Sequence, residues 1–419
     1  FKAIAVFTFL FYFYSIFKKP LRDGAFVLVT FIFSESHALP QVLEEHKKFM
    51  QERSGLFLNL TANQKKAVEH LGSPLLVEAG PGSGKTEVII ERVKFLTNQG
   101  GFDPSEILCI TFTVKAAEEM RNRLEEDGVD TSQMTIMNYH AFYHEILDRN
   151  KSYTGLGNAK IVSRTTLMVW ALENIDSFNF NNEIDISQNS ISGEIEAMID
   201  GMSTFRDALL SSDELQDYID QKKSGVLPYK DPDEVIYVKK LENLAEVYKK
   251  CEEFKKEQDI MDFDDIIGLT HVLLTDPMAK HVLEGLQRTY KYVLIDEFQD
   301  NNFAQFEIAK QLVTDGNITA VGDSDQSIYR FQGAYPEIFD DFRKSFPKCT
   351  EILLDVNFRS PPSVVTLSTE LLQQDPTRIP KALTSGKKSS ERVHVVGCNK
   401  RHDQTEYVKQ QIQKLLNDK

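Results

Sequence analysis

One glycine-rich segment constrains the fold more than any other part of the chain. Residues Ala79–Thr86 read AGPGSGKT and fit the frame GxxxxGK[ST], with alanine at a first position that is often glycine. A short apolar run, Leu75–Val77, precedes this segment, and an amphipathic stretch, Glu87–Leu96, follows it. Glycines let backbone N–H groups converge on phosphate oxygens, and the positive end of the following helix favours the anion. The succession of strand, loop and helix therefore predicts a phosphate-binding loop.

A second motif supplies the acidic groups that such a loop needs. Four apolar residues, Tyr292–Ile295, run directly into Asp296 and Glu297. Lys85 would bind the β- and γ-phosphates, while Thr86 and Asp296 would hold Mg²⁺. Glu297 would polarise the attacking water. The loop residues expected to contact the nucleotide are Ala79, Gly80, Pro81, Gly82, Ser83, Gly84, Lys85 and Thr86.

Apolar runs alternate with helical stretches along much of the chain. Besides the two runs already named, Ile107–Thr111 and Ile318–Val321 are typical of buried strands, and Ala116–Leu124 is typical of a helix. This alternation predicts an α/β fold in which helices flank a parallel sheet. Residues 148–262 are polar and helical with no strong strand pattern, so we expect an all-helical insertion there.

The same patterns predict the domain organisation. The first α/β unit would comprise residues 41–147 and 263–344, interrupted by the insertion. A second, incomplete unit would occupy residues 345–419, because a strand at Ile352–Leu354, a helix at Ser363–Leu372 and a strand at Val393–Val396 follow one another there.

Residues 1–40 are apolar and of uncertain status. The run Ala3–Phe17 contains 15 largely apolar residues, with Lys2 and Lys18 at its flanks. It is shorter than the roughly 20 residues that span a bilayer. Three interpretations stay open: a membrane or signal segment, a peripheral apolar appendage, or upstream sequence foreign to the natural protein.

Composition sets broader limits on the protein class. Hydrophobic residues make up 41% of the chain and charged residues 26%, which excludes wholesale disorder and a polytopic membrane protein. The net charge of −15 argues mildly against a nucleic-acid partner, although a local basic groove can bind DNA on an acidic protein. Cys109, Cys251, Cys349 and Cys398 show neither metal spacing nor a disulfide framework. They indicate a reducing compartment, and we expect a cytoplasmic protein, associated with the nucleoid if the organism is a prokaryote.

Two longer segments are more specific than a phosphate-binding loop. Asp296–Asp300 reads DEFQD, and Val321–Ala334 reads VGDSDQSIYRFQGA. Both resemble the superfamily 1 DNA helicases of the UvrD/Rep/PcrA type. Further segments that resemble motifs of this family, in the family's order, are Leu60–Gln64, Thr111–Ala117, Asn138–Phe142, Met261–Asp265 and Asn357–Ser360.

The resemblance implies RecA-like domains, ATP as the nucleotide and roles for further side chains. Gln64 would read the adenine edge with its amide, and Phe358 would stack on the adenine face. Gln326 and Arg359 would contact the γ-phosphate and distinguish ATP from ADP. Gln326 and Arg359, together with Lys85, Asp296 and Glu297, form the expected catalytic group.

The resemblance also implies a groove for single-stranded DNA and duplex junctions. Aromatic rings stack on bases at about 1–3 kcal/mol each and with little sequence preference. We expect no membrane partner. The residues expected to face DNA are Phe112, Thr113, His140, Phe142, Tyr329 and Phe331.

The expected activity is that of an ATP-dependent DNA helicase that moves 3′ to 5′ on single-stranded DNA in repair or replication restart. The later helicase motifs of the second motor domain are not found before Lys419. We therefore expect this chain to bind nucleotide, to hydrolyse it poorly and not to unwind DNA. Two alternatives stay open: the helicase subunit of a helicase–nuclease, and a DNA-binding, nucleotide-dependent regulatory module without turnover.

Overall fold

The structure is a computed structural model that describes residues 26–30, 60–154, 159–181, 191–327, 334–335, 337–376, 378, 380–390 and 392–417. The strands are β1 (Phe26–Thr30), β2 (Leu75–Ala79), β3 (Ile107–Thr111), β4 (Thr135–Asn138), β5 (Lys160–Ile161), β6 (Ile260–Met261), β7 (Tyr292–Ile295), β8 (Ile318–Gly322), β9 (Thr350–Leu354), β10 (Val356–Asn357), β11 (Thr384–Ser385) and β12 (His394–Cys398). The helices are α1 (Ala62–Glu69), α2 (Lys85–Asn98), α3 (Val114–Glu126), α4 (Tyr139–Arg149), α5 (Lys151–Thr154), α6 (Arg164–Glu173), α7 (Ile191–Asp207), α8 (Ser212–Lys223), α9 (Pro232–Glu257), α10 (Phe263–Thr275), α11 (Lys280–Thr289), α12 (Phe303–Leu312), α13 (Ile338–Ser345), α14 (Pro362–Leu372) and α15 (Arg401–Asn417).

A parallel sheet of six strands forms the centre of the protein, in the order β4-β3-β7-β8-β2-β9. Strands β3, β7 and β8 are buried along their whole length, because helices cover both faces of the sheet. Strands buried on both faces read as continuous apolar runs rather than alternating ones. The predicted α/β class and the predicted parallel sheet are therefore confirmed.

Strand β9 lies in this same sheet and not in a second unit. It pairs with β2 from Leu75 opposite Thr350 to Ala79 opposite Leu354. The side-chain amide of Asn63, in α1, also donates to the carbonyl of Leu353 (3.0 Å). The expected boundary at residue 345 was therefore wrong, and the first sheet continues to Leu354. An apolar run predicts a strand, but it does not say which sheet the strand joins.

The insertion is helical except at its base. Its helices α6, α7, α8 and α9 enclose a hydrophobic cluster of their own. Strand β5 pairs with β6 over two residues only, Lys160 with Ile260 and Ile161 with Met261. The expectation of an all-helical insertion missed this pair, because two residues are too few to show a strand pattern.

A buried ionic joint connects the insertion to the central domain. Arg206 at the end of α7 donates to the Asp262 carboxylate (2.8 Å). Lys255 in α9 contacts Asp265 in α10 at 2.5 Å. Charges this far from water need partners of opposite sign, so both pairs fix the insertion against α10.

Part of the N-terminal segment does join the fold. Strand β1 pairs antiparallel with β12, from Phe26 opposite Cys398 to Thr30 opposite His394. Most of residues 1–40, including the run Ala3–Phe17, lies outside the described residues. Among the helices that the structure describes, none combines the length and the apolar character needed to cross a bilayer.

Candidate functional site

The glycine-rich loop lies where the sequence places it, between β2 and α2. Gly82 has a φ of +67°, a conformation that favours glycine. A Cβ atom at this position would also lie 2.5 Å from the Cβ of Arg359. The Ser83 hydroxyl donates to the carbonyl of Gly80 (2.7 Å), which tightens the turn. Helix α2 then begins at Lys85, so its free N–H groups and the positive end of its dipole face the loop.

The acidic pair lies at the carboxyl end of β7, beside the loop. The Nζ atom of Lys85 is 2.9 Å from Oε2 of Glu297, across 212 residues of sequence. Asp296 is buried, with 7% of its surface exposed. Glu297 has a φ of +48°, an unusual conformation for a residue with a side chain, and such strain is common at functional sites. Lys85, Asp296 and Glu297 therefore converge as predicted.

The surroundings of the acidic pair shift the pKa values of Asp296 and Glu297 in opposite directions. Burial, followed by the negative charge of Glu297, raises the pKa of Asp296 to about 7. Burial also acts to raise the pKa of Glu297, but the charges of Lys85 and Arg359 help to hold it below its ordinary value. Glu297 is thus the member that ionises first as the pH rises. An ionised carboxylate next to the phosphate loop is the chemistry that a proton acceptor requires.

A hydrogen-bonded network joins the acidic pair to β8. The Nε2 atom of Gln299 donates to Glu297 (2.8 Å). Its Oε1 atom accepts from the backbone N–H of Asp323 (2.9 Å), the residue that follows β8. The side-chain amide of Gln326 in turn donates to Asp323 Oδ2 (2.6 Å). The predicted catalytic residue Gln326 is thus connected to Glu297 through Asp323 and Gln299.

A segment after β10 closes the loop from the opposite side. The backbone N–H of Phe358 donates to the carbonyl of Gly82 (2.8 Å). The Oδ1 atom of Asn357 accepts from the backbone N–H groups of Arg359 (2.9 Å) and Ser360 (2.7 Å). Phe358 is 47% exposed. This arrangement places Phe358 and Arg359 at the phosphate loop and leaves Phe358 partly exposed to solvent.

The side chain of Gln64 is already bonded within the loop region. Its Oε1 atom accepts from the N–H of Thr61 (2.9 Å), and its Nε2 atom donates to the carbonyl of Ser83 (3.0 Å). One N–H and one lone pair of the carboxamide remain for another partner. The proposed contact between Gln64 and adenine stays a prediction, and the structure adds a second role, in which Gln64 anchors the loop to α1.

The donor set suits magnesium. Thr86 offers a hydroxyl in the first turn of α2, and Asp296 offers a carboxylate. Mg²⁺ prefers oxygen ligands and is commonly held by one or two side chains together with phosphate oxygens and water. Among the described residues there is no group of three or more His, Cys, Asp or Glu side chains that could hold a metal ion alone. A Mg²⁺ ion here would therefore be held jointly by the protein and the phosphates.

Two of the residues expected to face DNA lie at the ends of neighbouring strands. Phe112 follows β3 and His140 follows β4, which pair through Thr111 and Asn138. Phe112 is half-buried, and Thr113 is exposed and caps α3 with its hydroxyl. The His140 ring packs edge to face against Phe263 (6.1 Å between centroids), and burial lowers the pKa of His140.

Phe142 does not face solvent, which corrects the prediction made for it. It is 2% exposed and packs among core residues, with its ring 5.7 Å from that of Tyr290. To stack on a base it would have to leave the hydrophobic core. Tyr329 and Phe331, also expected to face DNA, lie outside the described residues.

Sequence reasoning missed four residues of this region. Gln299 and Asn357 stand inside recognised motifs, yet neither was given a role. Phe263 is 55% exposed beside His140, so it adds an aromatic face near the predicted DNA contacts. Lys381 carried no sequence pattern at all, although its side chain is buried against Asp323 at 2.7 Å.

Comparisons with known proteins agree with this geometry. The UvrD/REP helicase N-terminal domain matches residues 60–347. The ATP-dependent DNA helicases PcrA of Staphylococcus aureus and of Staphylococcus epidermidis are each 30% identical over 369 residues, which cover 86% of this chain and 46% of each relative. The chain thus spans about half the length of these curated relatives. On the family match and these similarities, the chain belongs to the UvrD/REP helicase family.

Proposed function

We propose that this chain binds ATP and Mg²⁺ and is part of an ATP-dependent DNA helicase that moves 3′ to 5′ on single-stranded DNA. The observation that carries the proposal is the convergence of Lys85 and Glu297, 2.9 Å apart, under the segment that holds Phe358 and Arg359. The two staphylococcal relatives are ATP-dependent DNA helicases.

In this mechanism the residues of the loop hold the triphosphate. Lys85 leaves Glu297 for the β- and γ-phosphates, and backbone N–H groups of the loop bind the remaining phosphate oxygens. Bound Mg²⁺ would neutralise phosphate charge, held by Thr86 and Asp296. Glu297, released from its lysine partner, orients the attacking water and accepts its proton. Arg359 stabilises the charge that develops on the transferred phosphoryl group.

Coupling to DNA would use the same edge of the sheet. Phe112 and His140 follow β3 and β4, and the acidic pair follows β7, which is the next strand in the sheet. A base stacked on either ring would therefore lie close to the loops that hold the nucleotide. Single-stranded DNA and duplex junctions are the proposed partners, repair or replication restart is the proposed setting, and the cytoplasm is the proposed location.

Steady-state ATP hydrolysis with and without oligo-dT tests the proposal. We would compare this chain with one extended to the length of the relatives, each also as Lys85→Ala. Lys94→Ala is the matched control, because Lys94 lies in the same helix but pairs with Glu91 and Asp127 instead of Glu297. We expect DNA-stimulated hydrolysis in the extended chain that only Lys85→Ala abolishes. If neither length responds to DNA, the protein is a plain ATPase or a binding module.

The direction of movement needs a separate experiment. The extended chain would displace streptavidin from oligo-dT that carries biotin at one end. Movement 3′ to 5′ displaces streptavidin from the 5′ end faster than from the 3′ end. The opposite preference would leave the ATPase assignment intact and overturn the polarity.

A further inference from the structure

A buried cluster of charges lies beside the phosphate loop. The ammonium of Lys381, 2% exposed, contacts Asp323 at 2.7 Å and Asp325 at 3.3 Å, and it also pairs with Glu78. The guanidinium of Arg378 binds both oxygens of Asp325, at 2.7 and 2.9 Å. Three carboxylates thus face two cations, and these five described side chains together carry a net charge of −1.

The members of this cluster come from three separate parts of the fold. Glu78 is in β2, one residue before the phosphate loop, and its carboxylate also accepts from the N–H of Ser324 (3.0 Å). Asp323 and Asp325 follow β8, the strand that pairs with β2 in the sheet. Lys381 belongs to the segment that leads into β11. Lys381 therefore connects the β10–β11 segment to the end of β2 and to the residues after β8, and Arg378 adds a second contact to Asp325.

Asp323 links Lys381 to Gln326, a predicted residue of the nucleotide site. One oxygen of its carboxylate, Oδ1, accepts from Lys381 Nζ at 2.7 Å, and the other, Oδ2, accepts from Gln326 Nε2 at 2.6 Å. Asp323 is fully buried, so water does not compete for either oxygen. The bond to Oδ2 fixes one N–H of the Gln326 carboxamide and leaves the second for another acceptor.

The segment that carries Lys381 also touches the phosphate loop itself. A Cβ atom on Gly80 would lie 2.8 Å from the Cδ1 atom of Leu383, two residues after Lys381. Strand β11 pairs with β10, which leads into the Phe358 and Arg359 pair. A change in the loop can therefore reach Lys381 through direct contacts.

We propose that Lys381 is a positioning residue of the nucleotide site: it holds Asp323 so that the free N–H of Gln326 points to the terminal phosphate of a bound triphosphate. The proposal rests on the proposed function, because it needs ATP at the phosphate loop. Its consequence is that the preference of this protein for ATP over ADP depends on a cation from outside the six-stranded sheet. A diphosphate lacks the terminal phosphate, so its binding does not depend on Lys381.

The test compares the affinities of this chain for the ATP analogue AMP-PNP and for ADP, with Mg²⁺, by displacement of a fluorescent nucleotide. For Lys381→Met we expect the affinity for AMP-PNP to fall about tenfold, the effect of one charge-assisted hydrogen bond, while that for ADP stays within about twofold. Lys388→Met changes an exposed lysine that follows β11; it is the matched control and should behave as the wild type.

Removal of a buried cation can also unfold the protein, so a charge-balanced variant accompanies it. Lys381→Met with Glu78→Gln removes one positive and one negative charge and keeps the net charge of the cluster at −1. If Lys381 acts by position, this double variant folds, with a melting temperature near that of the wild type, and still loses the preference for AMP-PNP. If the preference returns with charge balance, Lys381 has only a structural role and the proposal is wrong.

Failure of the proposed function has a different signature. In that case the wild type itself would bind neither nucleotide, or would bind both with no sensitivity to Lys85→Ala. If the wild type prefers AMP-PNP and Gln326→Ala abolishes that preference while Lys381→Met retains it, the function stands and the role of Lys381 is overturned.

Discussion

The ammonium of Lys85 lies 2.9 Å from the carboxylate of Glu297, so the group that would bind phosphate is paired with the group that would activate water. The variant Glu297→Gln should separate these tasks. We expect hydrolysis to fall by about 10²–10⁴-fold, the usual contribution of a positioned base. Nucleotide should bind at least as tightly as before, because Lys85 loses its competing carboxylate.

Two assays check this prediction. Nucleotide affinity is measured in this chain, and single-turnover phosphate release in a chain extended to the length of the relatives. Glu118→Gln, an exposed carboxylate of α3, is the control and should change neither quantity. A Glu297→Gln protein that binds nucleotide more weakly would show that the carboxylate supports Lys85 rather than competes with the phosphate.

Phe112 and Phe142 should respond to truncation in opposite ways. Phe112→Ala should weaken binding of oligo-dT about tenfold, because one stacked base contributes about 1–3 kcal/mol. Phe142→Ala should instead lower the free energy of unfolding by about 3–5 kcal/mol, since it leaves a cavity in the core. Fluorescence anisotropy with labelled oligo-dT and urea denaturation measure the two effects. A stable Phe142→Ala protein with weakened DNA binding would restore Phe142 as a DNA contact.

The buried guanidinium of Arg92, in α2, binds oxygen atoms at the end of α1. Its Nη1 atom donates to the carbonyls of Ala67 (2.6 Å) and Val68 (3.0 Å), and its Nη2 atom to that of His70 (2.8 Å). Its Nε atom donates to the hydroxyl of Thr319 (2.8 Å). Arg92→Met should lower the free energy of unfolding by about 3 kcal/mol or more, because buried acceptors lose their donors.

Replacement by lysine should also fail at this position, since one ammonium cannot reproduce the fixed fork of a guanidinium. Urea denaturation measures both variants. Arg123→Met is the control, because Arg123 forms an exposed pair with Glu119 that contributes less than about 1 kcal/mol. An Arg92→Lys protein as stable as the wild type would mean that charge alone, and not the fork, is what the site requires.

The carboxyl of Asp207 lies at the end of α7, in the joint between the insertion and the central domain. It should make the free energy of unfolding depend on pH. Burial, followed by the negative charge of Asp264, raises its pKa to about 7. A carboxyl whose pKa is raised by folding stabilises the protein fully below its unfolded value near 4, and that contribution is lost as the pH rises through about 7. The loss corresponds to about 4 kcal/mol at most.

Melting temperatures of the wild type and Asp207→Asn between pH 4 and pH 8 test this dependence. Because an amide does not titrate, the variant should gain stability relative to the wild type as the pH rises. The control, Asp213→Asn, removes a carboxylate that is 86% exposed, and it should run parallel to the wild type. Parallel curves for Asp207→Asn as well would place the pKa of Asp207 near its ordinary value.

The parts of the site that are contiguous in sequence were predictable. The phosphate loop, the acidic pair and their strands are each one uninterrupted pattern, and the structure brings them together at the expected edge. The error at Phe142 was avoidable. Buried residues of α4 recur at 139, 142, 143, 146 and 147, which is the spacing of one helix face, and this periodicity places Phe142 in the core.

Other features depend on contacts that no local pattern contains. Strand β9 belongs to the first sheet because it pairs with β2. In this pairing Thr350 lies opposite Leu75, which is 275 residues earlier in the chain. The role of Lys381 depends on one carboxylate in β2 and two in the residues that follow β8. A single lysine beside a proline in a polar stretch gives no sign that it will be buried, because burial here comes entirely from distant partners.

The strand order also determines when the nucleotide site can form during synthesis. Strand β2 ends at the phosphate loop, and both of its neighbours, β8 and β9, come from the chain after residue 317. As the chain leaves the ribosome, the loop is made early but its strand stays without either neighbour until more than two hundred further residues are made. Such distant pairings slow folding and leave a hydrophobic strand exposed meanwhile. The nascent protein therefore gains its ATP site late, after the whole insertion has emerged.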